Sequence, residues 1–346
     1  MQKCTFKNCL VRAVASALLL PGLLPAQVLS PDAEPGLRER IQERMQERRA
    51  TRLDAAGVQP ALTQPGTHYL TLHHDGLERA YTVHVPTNYR SGTPMPVLFA
   101  FHGGGGDMKL QAGEQYGLVA KAESAGFIAV FPNGHSRFPG GKFATWNAGT
   151  CCGTARDEKS DDVGFVRAIL AQLQARVSVD KARIFATGMS NGGMFSYRLA
   201  CEMADVFKAI APVAGTDNTL HCNPAAAVSV LHFHAKDDTH VLYGGGAGAD
   251  AMRDRSKVSD FVSVPQSILN WTRRNQCSGG PKRVLAVEGA YCNSYENCAD
   301  GAKVQVCVTE TGGHSWPGGG SPRAGKVQAS TAISANDVMW KFFQTR

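Results

Sequence analysis

The segment Gly188-Met189-Ser190-Asn191-Gly192 determines the fold that this sequence predicts. An apolar, strand-like run at residues 183–187 precedes it, and residues 192–203 have the apolar spacing of a helix. A Gly-x-Ser-x-Gly segment between a strand and a helix is typical of a sharp, strained turn that needs both glycines and exposes the serine hydroxyl at the edge of a sheet. An ordinary glycine-rich turn is the alternative, which the strand–turn–helix context disfavours. Ser190 is therefore the candidate nucleophile.

Short apolar segments alternate with helical segments on both sides of this turn. The predicted strands cover residues 80–85, 96–101, 126–131, 183–187, 209–214, 228–233 and 303–309, and the predicted helices cover residues 163–176, 192–203 and 335–343. Asp161 and Asp162 are possible caps of the first helix. This alternation predicts an α/β fold with a mostly parallel central sheet and helices on both faces. Functional residues of such folds lie at the carboxyl ends of strands.

A histidine followed by four glycines, His102–Gly106, comes directly after the predicted strand 96–101. Hydrolases with a serine turn of this kind take oxyanion-hole amides from such a loop and from the residue after the nucleophile. The candidate donors are the amide of Gly104, or its neighbour Gly103, and the amide of Asn191. A phosphate-binding loop is the alternative, but it would need a Lys-Ser or Lys-Thr pair entering a helix, which this segment lacks.

An acid and a base follow the nucleophile in the chain order Ser, Asp, His. Asp237 and Asp238 come shortly after the predicted strand 228–233 and compete for the role of acid, with Asp238 favoured. His314 lies among glycines after the last predicted strand. From there it can reach across to Ser190, take the hydroxyl proton and later protonate the leaving group. A structural role is the alternative for any single histidine.

Composition and charge exclude several classes of protein. The chain has 346 residues, of which 43% are hydrophobic and 19% charged, as in an ordinary globular protein and unlike a disordered one. The formal net charge is +7, but no basic run comparable to a nucleic-acid-binding arm is present. We therefore expect no nucleic-acid partner, although the positive surplus could favour an acidic substrate.

The N-terminal part predicts an export signal and a separate leader. A basic start precedes an apolar stretch from Ala13 to Leu24, which Pro25-Ala26 follows as a cleavage site. Residues 1–26 are therefore a predicted signal peptide, too short for a membrane anchor. The Arg- and Glu-rich residues 27–66 predict a leader or linker, with a partner-binding helix as the alternative. Residues 67–346 form the predicted catalytic domain, which has no membrane-spanning segment and is secreted or periplasmic.

Eight cysteines follow the predicted signal peptide, and they are Cys151, Cys152, Cys201, Cys222, Cys277, Cys292, Cys298 and Cys307. An even number in an exported chain predicts disulfide bonds, whose pairing the sequence leaves open. Because Cys151 and Cys152 are adjacent, we expect them to bond to different partners. A zinc site is the rival interpretation, but a CxxC pair and clustered histidines are missing. The polar residues 277–307 predict a disulfide-stapled excursion near the site.

Residues 67–346 resemble the polyhydroxybutyrate depolymerase and feruloyl esterase group of the α/β-hydrolase superfamily. The matching segments are His102–Gly106, Trp146–Gly149 with Cys151–Gly153, Asp161–Phe165, Gly188–Met194, Leu199–Glu202, Ala211–Gly215 and Gly313–Gly318. The resemblance implies an α/β-hydrolase fold with Ser190 as nucleophile, Asp238 as acid and His314 as base. It implies a reaction that needs no metal and no organic cofactor.

The family acid lies in a segment that resembles His-Gly-x-x-Asp-x-x-Val-x-Tyr, which corresponds here to residues 234–243. Counting back from Tyr243 favours Asp238. Ala235 stands where the family usually has Gly, and Leu242 where it usually has Pro.

The substrate implied by the resemblance is an ester, possibly polymeric. The leading interpretation is an exported serine esterase that acts as a polyhydroxybutyrate-type depolymerase or oligomer hydrolase through an acyl-enzyme. A feruloyl or acetyl esterase of plant polysaccharide is the alternative. An amide-cleaving hydrolase of an acidic polymer and a non-catalytic binding protein are more distant ones. No separate polymer-binding domain is expected after Arg346. Trp146 and Trp316 are candidate substrate contacts, with core packing as the alternative for each.

Overall fold

The computed structural model describes residues 61–251, 260–320 and 327–346. The expected signal peptide, residues 1–26, and residues 27–60 of the expected leader lie outside the described residues. Leu62, at the end of the expected leader, is buried, and its amide donates to the carbonyl of Arg176 at 3.0 Å. The last residues assigned to the leader therefore pack with the residues that follow them.

The apolar segments form a ten-stranded sheet. In chain order its strands are β1 Gly66–His74, β2 Leu77–Val85, β3 Met95–Phe101, β4 Ile128–Pro132, β5 Val179–Met189, β6 Ala209–Val213, β7 Ser229–Ala235, β8 Lys282–Val287, β9 Ala290–Tyr295 and β10 Val304–Thr309. Across the sheet the order is β1-β2-β4-β3-β5-β6-β7-β10-β9-β8. The run from β4 to β10 pairs in parallel, and both flanks pair antiparallel. The predicted mostly parallel sheet is confirmed.

Helices pack on both faces of this sheet. They are α1 Met108–Gln111, α2 Leu118–Ala125, α3 Gly153–Asp157, α4 Asp162–Gln174, α5 Asn191–Glu202, α6 Val264–Arg274 and α7 Ala335–Phe343. Along β3, Phe99 and Phe101 join a buried cluster with α4 and α5, whereas Leu98 and Ala100 join a second cluster with α2 and α7. Successive side chains of a strand point to opposite faces, so the two clusters lie on opposite sides of the sheet.

No helix in the described part of the chain is long and apolar enough to cross a lipid bilayer.

The two acids before α4 have different roles. Asp161 caps the helix, because its side chain accepts the amide of Gly164 at 2.9 Å. Asp162 is instead buried and pairs with the guanidinium of Arg79 at 2.8 Å. Its second oxygen accepts the amide of Asn147 at 2.8 Å. The carboxylate of Asp162 therefore ties the loop after β4 to β2 and α4, and only the cap was recognisable from the sequence.

The eight cysteines in the described part of the chain form four disulfide pairs, Cys151–Cys152, Cys201–Cys222, Cys277–Cys298 and Cys292–Cys307. The expectation that Cys151 and Cys152 bond to different partners is wrong. The other six cysteines pair among themselves, and these two pair with each other across a cis peptide bond. Since all eight sulfurs are used in disulfides, they cannot be the thiolate ligands of the rival zinc interpretation.

Residues 277–307 extend the sheet as the β8–β9 hairpin, which the sequence did not predict as strands. One disulfide, Cys292–Cys307, joins β9 to β10 at positions directly opposite each other, and Cys277–Cys298 closes the base of the hairpin. The side chains of β8 are mostly exposed, so this edge strand lacks the apolar run by which inner strands are recognised. The expected disulfide stapling is present, and it supports strands rather than an irregular excursion.

Candidate active site

Ser190 lies at the turn between β5 and α5 in a strained conformation. Its φ is 55° and its ψ is −119°, a region that residues other than glycine rarely adopt. The flanking glycines permit this turn by allowing backbones to approach closely. A Cβ on Gly192 would collide with the carbonyl oxygen of Phe101, and a Cβ on Gly188 would collide with the backbone of Gly192. The sequence expectation that both glycines are needed thus has a steric cause.

Asp238 and His314 come together although 76 positions separate them. Nδ1 of His314 lies 2.8 Å from Oδ2 of Asp238. Asp238 follows β7 and His314 follows β10, and these two strands are parallel neighbours in the sheet. Their carboxyl ends therefore meet at one edge, which places the two side chains in contact. A neutral His314 that donates from Nδ1 presents Nε2 as a base.

The carboxylate of Asp238 is buried and surrounded by hydrogen-bond donors. Oδ1 accepts the amides of His240 at 2.8 Å and Val241 at 3.0 Å. Oδ2 accepts from His314, and Nε2 of His234 lies 3.3 Å from the same oxygen. Burial alone would raise the pKa of Asp238, but the hydrogen bonds from His234 and His314 outweigh it and hold that pKa well below its usual range. Asp238 is therefore ionised and can stabilise an imidazolium at His314.

The competing acid, Asp237, points elsewhere. Its carboxylate oxygens accept the amides of Gly312 at 3.3 Å and Gly313 at 2.8 Å. Asp237 thus fixes the loop that carries His314 but does not contact the imidazole through any hydrogen bond of the described residues. Of the two candidates, the structure places Asp238 against His314.

The glycine loop after β3 packs against the serine turn. A Cβ on Gly103 would lie 3.6 Å from Cβ of Ser190, and a Cβ on Gly104 would lie 3.6 Å from Cβ of Asn191. The amides of Gly105 and Gly106 donate to the carbonyls of Ala144 at 2.8 Å and of Gly103 at 3.0 Å, so they serve the loop itself. The candidate oxyanion donors Gly104, its neighbour Gly103 and Asn191 all line the cavity described below.

His102 fixes this loop through two hydrogen bonds of its buried ring. Its Nδ1–H donates to the carbonyl of Gly103 at 2.8 Å, and its Nε2 accepts the amide of Gly134 at 2.9 Å. The side chain is fully buried, and burial lowers its pKa to about 4. His102 is therefore neutral at pH 7 with the proton on Nδ1, and it shapes the loop instead of acting as a base.

Trp146 does not reach the cavity. Its ring is fully buried, stacks on Phe195 and meets Phe101 edge to face. The indole N–H donates to the carbonyl of His102 at 3.0 Å. The side chain of Asn191 bonds both backbone groups of Trp146, at 2.7 Å to the amide and 2.9 Å to the carbonyl. The expected substrate contact is therefore replaced by core packing, and Asn191 gains a positioning role that sequence reasoning missed.

Ser190, His314 and the glycine loop open onto one cavity of about 630 Å³. The apolar part of its wall includes Leu110, Tyr116, Phe143, Phe261, Trp316 and Val327. Trp316 lies in the wall, but its side chain is buried, and its indole N–H donates to Oδ1 of Asn336 at 3.1 Å. His240 also lines the cavity and stacks on His314 with ring centroids 4.6 Å apart. His240 lies two positions after Asp238 in the sequence, and this proximity to the candidate acid was a signal for the contact.

Within the described residues, one group of side chains has a spacing that could hold a metal ion, namely Asp238, His240 and His314. Two of these side chains are hydrogen-bonded to each other through His314 Nδ1 and Asp238 Oδ2. That contact uses Nδ1 of His314 and Oδ2 of Asp238 and fixes the orientation of the imidazole.

A buried Asp–His pair and a strained serine that share one cavity at a sheet edge are the arrangement of an α/β-hydrolase. The chain belongs to the esterase family whose model, described as "Putative esterase", matches residues 76–316. It is a carboxylic ester hydrolase.

Curated relatives include Feruloyl esterase B of Piromyces equi, 31% identical over 243 residues, which are 68% of this chain and 42% of that protein. This chain therefore spans less than half of the length of that relative. Probable feruloyl esterase C of Aspergillus niger is 30% identical over 236 residues, which are 66% of this chain and 78% of that protein.

Among solved structures, an acetyl xylan esterase from Aspergillus awamori superposes with a TM-score of 0.53 at 14% identity, covering 81% of this chain and 100% of that one. A dienelactone hydrolase-like promiscuous phosphotriesterase, P91 from metagenomic libraries, superposes with a TM-score of 0.52 at 16% identity, covering 81% and 98%. At these identities the likeness shows the α/β-hydrolase fold.

Replacing Asp238 should lower ester hydrolysis far more than replacing Asp237. Asp238→Asn removes the charge that stabilises imidazolium at His314 and favours the wrong tautomer, so we expect kcat/KM to fall by about 10³- to 10⁴-fold. Asp237→Asn keeps one acceptor oxygen, enough for the shorter bond from the amide of Gly313, and leaves the Asp238–His314 contact intact. It should therefore cost about tenfold or less. Steady-state kinetics on a soluble aryl ester measures both variants, and equal losses would contradict the assignment of the acid.

The low pKa of His102 predicts a loss of stability in mild acid. Because its pKa falls from 6.5 to about 4 on folding, the unfolded chain binds an extra proton between these pH values. The contribution of His102 to the free energy of unfolding is fully present above pH 6.5. It falls by about 3 kcal/mol as the pH is lowered towards 4. Urea unfolding of wild type and His102→Gln at pH 7, 5.5 and 4 measures this effect. We expect the free-energy difference between the two proteins to shrink with acidification, and a constant difference would refute the claim.

Proposed function

We propose that this protein is an exported esterase that releases feruloyl or acetyl groups from plant polysaccharide. The observation that carries the proposal is that Ser190, His314 and the glycine loop open onto a single cavity with an aromatic wall. The relatives named as feruloyl esterases support the acyl group, and the fold supports the class of reaction.

The proposed reaction has two halves. Nε2 of His314 takes the Ser190 hydroxyl proton while Oγ attacks the ester carbonyl, and the amides of Gly104 and Asn191 stabilise the oxyanion. His314 then gives that proton to the leaving alkoxide, which leaves the acyl group on Ser190. Water repeats the sequence: it loses a proton to His314, attacks the acyl carbon and releases the carboxylic acid, and the proton returns to Ser190 Oγ.

The cavity wall favours an aromatic acyl group over a short aliphatic one. Tyr116 and Trp316 meet edge to face with ring centroids 5.3 Å apart, and Phe143 adds a third ring at the exposed side of the wall. Aromatic walls bury large flat groups with offset or edge-to-face contacts. A volume of about 630 Å³ lies in the range of pockets that bury drug-sized ligands, and a phenylpropanoid acid is smaller than these.

The relatives and the cavity distinguish between the four functions that the sequence left open. The named relatives favour the feruloyl or acetyl esterase alternative over the polyhydroxybutyrate-type depolymerase that the sequence analysis put first. A non-catalytic binding protein disagrees with membership of an esterase family. An amide-cleaving hydrolase of an acidic polymer rested on the charge surplus alone, and no contact in the cavity adds to it.

Export is part of the proposal. Disulfide bonds form and persist in oxidising compartments, and the residues that the structure describes contain four of them. With the predicted signal peptide, they support a secreted or periplasmic location, where plant polysaccharide would be accessible.

A substrate panel tests the proposal. We expect purified wild type to release ferulate from methyl ferulate and feruloylated arabinoxylan, or acetate from acetylated xylan, and to leave polyhydroxybutyrate granules intact. Ser190→Ala should lose activity by about 10⁴-fold or more while staying folded, because it lacks the nucleophile. Product release by liquid chromatography measures both. A wild type inactive on every ester, or an equally active Ser190→Ala, would overturn the proposal, and activity confined to granules would restore the depolymerase interpretation.

Phe143 provides a test of the acyl group. Its ring lines the cavity, whereas its edge-to-face partner Phe138 lies outside the wall, and both are exposed. Phe143→Ala should raise KM for methyl ferulate about three- to tenfold and leave KM for p-nitrophenyl acetate within about twofold. Phe138→Ala is the matched control and should change neither. If Phe143→Ala raises KM for both esters alike, the ring does not select an aromatic acyl group.

A further inference from the structure

Asp238 also contacts a buried row of polar side chains that the reaction above does not use. The hydroxyl of Tyr197 lies 3.0 Å from Nδ1 of His232. Nε2 of His232 lies 3.1 Å from Nδ1 of His234. Nε2 of His234 lies 2.8 Å from the carbonyl oxygen of Val241 and 3.3 Å from Oδ2 of Asp238. The row thus runs from a tyrosine to the acid of the site.

The row connects the helix that follows Ser190 to the strand that precedes Asp238. His232 and His234 are two positions apart on β7, so their side chains leave the same face of the strand, and their rings stack with centroids 5.3 Å apart. Tyr197 belongs to α5, the helix that begins directly after Ser190. All three side chains are buried, so each of their protons needs a protein acceptor within hydrogen-bond distance.

The acceptors at one end fix the direction of every proton. A carbonyl oxygen and a carboxylate both face Nε2 of His234, so that nitrogen carries a proton. At the other end, Nδ1 of His232 is the acceptor for the hydroxyl proton of Tyr197. His232 then has its own proton on Nε2 and donates it to Nδ1 of His234. Nδ1 of His234 is therefore an acceptor, which leaves His234 neutral.

The opposite arrangement is disfavoured at two points. A doubly protonated His234 would have to donate from Nδ1 to His232, which would turn the proton of His232 towards Tyr197. The hydroxyl proton of Tyr197 would then lose its acceptor in the row. Burial also opposes charge here, since it raises the pKa of Tyr197 and lowers the pKa of His232 well away from their usual values. A neutral row pointing towards Asp238 satisfies every group.

We propose that Tyr197, His232 and His234 form a positioning relay, in which His234 is the second N–H donor to Asp238 Oδ2 and orients that carboxylate for His314. The proposal rests on the proposed roles of Asp238 and His314. The shared oxygen explains the effect: each donor to Oδ2 takes up part of its negative charge, so His234 limits how strongly Asp238 holds a proton on His314. None of the three touches substrate.

Other titratable and charged groups also face this relay. Tyr243 packs against the ring of His234, and His240 stacks on His314. Asp217 and Arg274 influence Tyr197 from the side of α6. These groups stay the same in every variant described below, so differences between variants report the relay.

The test compares His234→Phe with His234→Gln in the full chain. Phenylalanine fills the space but cannot donate, whereas glutamine can both accept from His232 and donate towards Asp238. For His234→Phe we expect kcat to fall about tenfold with KM within twofold, as for the loss of an outer hydrogen-bond partner. We expect the acidic limb of kcat/KM to move about 0.5 to 1 pH unit higher, because Asp238 then binds the proton of His314 more strongly. His234→Gln should restore most of both.

A control variant and a second readout separate positioning from folding. Thr309 lies opposite Ala235 on β10, and its buried hydroxyl has no hydrogen-bond partner among the described residues. Thr309→Val should therefore leave the pH profile unchanged. The deshielded proton resonance of His314 Nδ1–H in NMR should shift in His234→Phe and return in His234→Gln. This resonance is observable even if wild type hydrolyses no ester in the panel, so failure of the relay and failure of the proposed function are distinguishable.

Each outcome decides the proposal. Equal pH profiles for wild type and His234→Phe, or equal losses for His234→Phe and His234→Gln, would overturn it. If His234→Phe does not fold, Tyr197→Phe takes its place, since it removes a single oxygen atom at the start of the relay. It should lower kcat about two- to threefold and shift the acidic limb in the same direction by about 0.3 pH units. A Tyr197→Phe profile that superposes on wild type would also overturn the relay.

Discussion

A buried carboxylate charge at Asp238 is the constraint on which the acid–base half of this site depends. Removing such a charge from water costs several kcal/mol unless donors surround it. Here there are four donors: two backbone amides of its own loop, His314 from the loop after β10 and His234 from β7. Only because β7 and β10 are parallel neighbours can a histidine from the far end of the chain reach the acid.

The nucleophile half is held by a different kind of force. Its strained serine is fixed by backbone packing, with Gly192 against the carbonyl of Phe101, and its glycine loop is fixed by neutral hydrogen bonds through His102. The side chain of Asn191 then locks the Trp146 segment against the same turn. These contacts involve no net charge. The pH dependence of this half therefore comes from protonation of the buried His102. The two halves meet at α5, which carries Ser190 at its start and Tyr197 further along.

The parts that the sequence predicted are those that local pattern encodes. Inner strands such as β3 and β4 are buried on both faces, so they are continuous apolar runs in the sequence. The candidate serine, acid and base could then be recognised because each one follows a predicted strand. The β8–β9 hairpin was not predicted because its outer strand is exposed and has no apolar run. Its pairing is reinforced by disulfides, whose partners the sequence left open. Trp146 and Cys151 were misassigned for a related reason. Whether a tryptophan lies in a wall or in a core, and which sulfur a cysteine meets, depends on partners remote in sequence.

The segment His232-Phe233-His234 shows that the local sequence pattern predicts burial but does not predict which groups a buried side chain contacts. In a strand buried on both faces, alternation assigns Phe233 to one face and the two histidines to the other. A pair of polar side chains on a buried face needs partners, and this need is visible in the sequence. The partners are not, because one is a helix residue 35 positions away and the other is the carboxylate of the site. The two histidines therefore indicate that polar partners lie near this strand, and only the fold identifies them.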